Sequence, residues 1–267
     1  VDALAAIEPW AGMAARAGLC SLRPAVACLL LPILAPDLVP AMVRNGLFLT
    51  MGALALALQP QVLLHGASGL TWLALAAQEA LLGLGLGFGL ASLLWAFMAA
   101  GEIVDAKIGL NALQIHDAAA GTTSGPSGAL LGRLAACAFV ACGGLGAFVR
   151  VLVDSFRIWP VGQGAGQPLP GGLAVFEAWF ADGSARALLV AAPVLVVLFA
   201  IDLVLGLINR FAPQIPLIAL SASLKACAAV AVWLLMLATL AQGFDGAMLE
   251  RIDSLLPALG KAWAGRG

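Results

Sequence analysis

Residues 100–133, AGEIVDAKIGLNALQIHDAAAGTTSGPSGALLGR, form a polar, small-residue stretch inside a strongly apolar chain. Of the 267 residues, 63% are hydrophobic and 10% charged, less than half the roughly 25% charged residues of a soluble globular domain. The mean hydropathy is +1.05. Such a chain is an integral membrane protein or the buried part of a membrane assembly, so a polar interruption within it needs a reason. The stretch is too long for a tight turn and too rich in small residues for an ordinary helix. It reads as a mobile loop between membrane-type helices, and as the working segment of the protein.

Outward from it lie six apolar runs: Leu19 to Leu34, Asn45 to Leu58, Leu70 to Ala100, Leu134 to Val149, Ala187 to Ile208, and Ile215 to Ala241. Their length and composition predict helices, with breaks at the proline clusters 32/36/40 and 213/216. Ser155 to Gly172 reads as a Gly/Pro loop. The tail from Gln242 to Gly267 reads as a short amphipathic surface helix. A spanning helix needs about 20 mostly apolar residues, yet the charge-free runs 134–149 and 187–201 have 16 and 15. Glu79 and Asp202 sit inside apolar helical patterns, where a charge at the bilayer centre costs at least about 2.5–3.5 kcal/mol. Several segments therefore read as helices buried against other protein chains rather than as simple lipid spans. The expected class is all-α, a single domain over 1–267 of polytopic membrane-type helices. Arg251, Lys261 and Arg266 weakly favour a cytoplasmic C-terminus.

The polar residues exclude several chemistries. A net charge of -1, no basic run and no tyrosine give no reason to expect nucleic acid. His116-Asp117 beside Ser124 and Ser127 lacks a G-x-S-x-G, and the only other histidine is His65. No metal-ligand spacing exists, so no catalytic, metal or cofactor site is expected. Cys20, Cys28, Cys137, Cys142 and Cys227 lie in apolar runs and read as small core residues. Gly83, Gly85, Gly87 and Gly89 are not a dinucleotide fingerprint; on a helix they make two small-xxx-small pairs that let neighbours approach closely. Glu102, Asp105 and Lys107 leave two readings open, a solvated helix end or a polar collar at a channel. Arg210 reads as a helix C-terminus. Lys225 either snorkels to an interface or pairs, buried, with Asp202 or a partner chain.

The run DLVLGLINRFAPQIPLIALSASLKA, Asp202 to Ala226, resembles the signature of the SctT/FliR family of type III secretion systems, through Gly206, Leu207, Arg210, Pro213, Gln214 and Lys225. Gly101, Asp105 and Gly109 resemble a second motif of that family, as do Ser155-Phe156 with Pro160, and Arg23, Pro32, Pro40 and Arg44 near the start. The N-R-F-A-P-Q run is more similar to the virulence injectisome branch than to the flagellar one. Pro216 stands where the family usually has asparagine.

The resemblance implies a multi-pass export gate subunit of the bacterial inner membrane, within a secretion basal body. It would assemble with SctR-like and SctS-like subunits into a helical cone through which unfolded secreted proteins pass, with an SctU-like switch subunit outside. Its hairpins would be lifted largely out of the bilayer. The polar stretch would be a plug between Lys107 and Gly128, with Asn111, Gln114, His116, Asp117, Gly121, Thr122, Thr123, Ser124 and Gly125 in the pore and Gly101, Glu102, Asp105, Lys107 and Gly109 flanking it. Glu79, Asp202, Arg210, Pro213, Gln214 and Lys225 are the expected subunit-contact or buried polar residues. A flagellar counterpart and a polytopic secondary transporter are the alternatives.

Overall fold

The computed structural model describes residues 2–34, 39–58, 69–109, 125–161, 172–211 and 217–264. Among them the secondary structure is entirely helical: α1 (Asp2–Leu30), a 3-10 turn (Pro32–Leu34), α2 (Ala41–Leu58), α3 (Gly69–Ile108), α4 (Pro126–Ala141), α5 (Gly144–Ile158), α6 (Gly172–Phe211) and α7 (Leu217–Ala264). The chain is an all-α polytopic membrane protein. Gly69–Ile108, Leu173–Phe211 and Ser221–Lys261 are each long and apolar enough to cross a membrane, and the bent pair α4–α5 would add a fourth span.

The helices are longer than the apolar runs. Charges that bound a run, such as Arg186 and Asp202, lie within α6 and do not end it. The short-run reading therefore understates this helix. The tail is likewise no separate short helix. α7 continues through Gly243, Gly246 and Pro257 to Ala264. Its buried positions Leu240, Phe244, Met248, Arg251, Leu255 and Leu259 keep a helical period across the expected boundary. Conversely, the run Leu134 to Val149 is two helices. The Cys142 N–H bonds the Ala138 carbonyl at 2.9 Å and closes α4. Gly143 follows with φ +76°, a left-handed conformation that glycine adopts without steric penalty. Ser155 to Ile158, expected in a loop, form the last turn of α5.

The chain divides into two compact units, one of residues 1–91, 143–179 and 249–267, the other of 92–142 and 180–248. In the first, α1 packs on α2, and Leu19, Cys20, Ala55, Leu75, Phe156 and Val161 form a buried apolar cluster. α1 stops at Leu30 because Pro32 offers no N–H and disfavours helix just before it. In the apolar window of α3, 72% is buried within the chain, against 17% in those of α6 and α7. α3 is thus a packed helix, while α6 and α7 keep apolar faces such as Leu189, Phe199, Leu234 and Leu235 open.

The cysteines split by position. Cys20 and Cys28 are buried, whereas Cys137 and Cys227 are exposed and are not core residues of this chain. Burial pushes the Cys20 thiol up to about 11 and the Cys28 thiol up to about 12, so neither presents a thiolate at neutral pH. In the solubilised protein a maleimide is expected to label Cys137 and Cys227 and to reach Cys20 and Cys28 only after denaturation. Labelling of Cys28 in the folded chain, read by peptide mass, would overturn this packing of α1.

Candidate functional site

The ends of the polar stretch meet at a junction between α3 and α4. Gly125, at the N-terminus of α4, has no capping side chain, and Pro126 occupies the first turn. The next N–H groups would be orphans of the helix start. Carboxylates of α3 accept them instead. Glu102 Oε1 accepts from the Gly125 N–H at 2.8 Å. Asp105 Oδ2 accepts from Ser127 at 2.8 Å and from Gly128 at 3.2 Å. Two negative charges at a helix N-terminus also complement its dipole. Asp105 is fully buried, and its Oδ1 has no hydrogen-bond partner among the described residues.

The junction requires glycine. A Cβ on Gly101 would lie 2.5 Å from the Ser127 carbonyl carbon and oxygen, and one on Gly128 would collide with the Glu102 carboxyl. On the other side Gly109 ends α3 with φ +91°, its N–H bonded to the Asp105 and Ala106 carbonyls at 3.1 and 3.2 Å. Glu102 and Asp105 are therefore helix-capping groups and not a solvated helix end. Lys107, Ile108 and Pro126 to Gly128 are helical, so the segment between the helices is shorter than 107–128. Asn111, Gln114, His116, Asp117, Gly121, Thr122, Thr123 and Ser124 lie outside the described residues.

Lys107 turns to a second cluster in the same unit. Its Nζ is 2.9 Å from Asp202 Oδ2 of α6, and Lys225 of α7 pairs with Asp202 Oδ1. One carboxylate thus gathers three helices around two cations. The Lys225 side chain is 13% exposed and that of Lys107 41%, so the Lys225 pair is the better shielded from water. Arg210, at the end of α6, is exposed. Pro213 and Gln214 lie outside the described residues.

Glu79 belongs to a third constellation, in the first unit. Arg23 of α1 forms a bidentate pair with it, Nε to Oε2 at 2.8 Å and Nη2 to Oε1 at 3.1 Å. The guanidinium also donates to Ser155 Oγ at 3.1 Å and to the Trp159 carbonyl at 3.0 Å, and lies 4.2 Å from the Phe156 ring centroid. Arg23 and Glu79 are both fully buried. Gly83 and Gly87 let α1 come this close: a Cβ on either would meet the Arg23 or Ala27 carbonyl oxygen at 2.5 or 2.6 Å. Gly85 and Gly89 face the opposite way, against Leu259, and against Leu255 and Trp179. The sequence does not assemble this cluster, because Ser155, Phe156 and Trp159 open a Gly/Pro-rich stretch that reads as loop. The available signal was one charge of each sign stranded in separate apolar runs.

Residues 14–250, which contain all three constellations, match the family described as bacterial export proteins, family 1. The chain belongs to that family. Relatives of this export protein include Yop proteins translocation protein T of Yersinia pestis, 28% identical over 251 residues, 88% of this chain and 92% of the relative. Secretion system apparatus protein SsaT of Salmonella typhimurium is 27% identical over 215 residues, 76% and 80% of the two chains. Flagellar biosynthetic protein FliR of Escherichia coli K12 is 31% identical over 189 residues, 69% of each. The export protein has a role in a type III secretion or flagellar export apparatus, and hence in a multi-subunit complex.

Proposed function

We propose that the export protein is a core subunit of a type III secretion export gate in the bacterial inner membrane. With SctR-like and SctS-like subunits it forms the channel for unfolded secreted proteins, and an SctU-like switch subunit binds outside. The polar segment after Lys107 plugs the closed channel. The supporting observation is the α3–α4 junction: Glu102 and Asp105 hold both ends of the segment together, so residues 110–124 leave and return at one fixed base. Residues 118–124 are only Ala, Gly, Thr and Ser, and side chains this small suit passage into a narrow lumen. Asn111, Gln114, His116 and Asp117 supply polar contacts to neighbouring subunits. The injectisome branch is favoured by the alignment covering 92% of the Yersinia protein.

Deleting residues Ala118 to Ser124 tests the plug. The expected result is normal assembly with a raised ion leak across the membrane. An assembled complex whose leak is unchanged would sink the idea.

A further inference from the structure

We propose that the cleft between α4 and α7 is a binding site for an anionic phospholipid. Two cavities lie at successive positions along these helices, within one unit. The first, of about 490 Å³, is walled by Ile108, Pro126, Leu130, Arg133, Val230 and Trp233, among others. The second, of about 310 Å³, lies between Leu134, Ala138 and Ala141 of α4 and Leu237, Ala241 and Phe244 of α7. The two helices run in the same direction past one another: 126–133 faces 226–233, and 134–141 faces 237–244.

The chemistry changes along the cleft. The second cavity has no charged residue in its walls, and its deepest members, Leu131, Ala135 and Phe244, are fully buried. Among the described residues the first holds the sole charge of either wall, Arg133, which has no ion pair there, and no acidic side chain lines it. Trp233, in the same wall, is 2% exposed, and its indole N–H has no acceptor among the described residues. Buried indole N–H groups ordinarily find a partner. A ligand with an oxygen-rich anionic head and a long apolar body matches this order. From Arg133 to Ala141 is eight residues, a rise of about 12 Å, close to the roughly 15 Å hydrocarbon depth of one leaflet. A phosphate at Arg133 would therefore leave its acyl chain lying along the second cavity.

The test uses the assembled complex, purified gently from membranes. Native mass spectrometry reads retained phosphatidylglycerol against phosphatidylcholine added in equal amount. The wild type is expected to retain phosphatidylglycerol preferentially. Arg133→Gln should lose about fivefold of that retention and Arg133→Lys most of the way restore it. Leu134→Trp, which fills the apolar half, should abolish retention while subunit composition stays intact. Equal retention of both lipids, or retention indifferent to Arg133→Gln and Leu134→Trp, would overturn the proposal. So would displacement of bound lipid by inorganic phosphate alone, which would mark a headgroup-only ion site. A disulfide or maleimide crosslink from Cys137, which lines the cleft, to a sister subunit in high yield would show a protein helix there instead and overturn it as well.

Discussion

Replacing Glu79 with leucine is expected to destabilise the first unit by about 3–5 kcal/mol, the usual cost of leaving one buried partner of an ion pair uncompensated. Arg23 is fully buried, so its charge has no water to return to. Two Arg23 nitrogens lose their carboxylate, while Ser155 and the Trp159 carbonyl still hold the head in place. The double variant Arg23→Met with Glu79→Leu should recover most of the loss, because it removes both charges and refills the volume. Recovery should fall short by about 1 kcal/mol, since the Trp159 carbonyl gives up a charged donor. The measurement is apparent melting temperature in detergent by intrinsic fluorescence. A Glu79→Leu protein as stable as the wild type would show that the pair contributes nothing.

The second large effect concerns the α3–α4 junction. Gly101→Val places a Cβ where the Ser127 backbone stands at 2.5 Å. Backbone cannot rotate aside as a side chain can, so the two helices must part. Overpacking of this kind costs about 1–3 kcal/mol. Separation also strains the three capping hydrogen bonds that Glu102 and Asp105 accept, a cap being worth about 0.5–2 kcal/mol. The expected outcome is a complex that assembles at reduced level and, per assembled complex, conducts ions more than the wild type. Gly101→Ala should show the same direction with smaller size. Wild-type conductance and secretion from Gly101→Val would mean that the junction does not hold the segment.

These residues show what a linear reading reaches. Gly101, Asp105 and Gly109 stand out on one helix turn after another, but their use as caps depends on α4, some twenty residues further along. The hint was local to α4: a start at Gly125-Pro126 that brings no capping side chain demands an acceptor from elsewhere. Arg23 and Glu79 are 56 positions apart, and periodicity carries no information on which stranded charges pair. The break at Gly143 was legible in the Cys-Gly-Gly sequence, yet an apolar-run reading passes over it because hydropathy is unchanged there. The α7 tail fails for the opposite reason. Its alternating charges suggest a new element, whereas the buried stripe keeps its period straight through. The helix-rich membrane class itself followed from composition, which no tertiary contact can alter.

α7 has one more consequence. Its 48 residues carry about 72 Å of helical rise, more than twice the roughly 30 Å thickness of a hydrocarbon layer. Whatever its tilt, much of this single helix stands in headgroups or water. Its leucine-rich flank outside the lipid can be kept dry only by other protein.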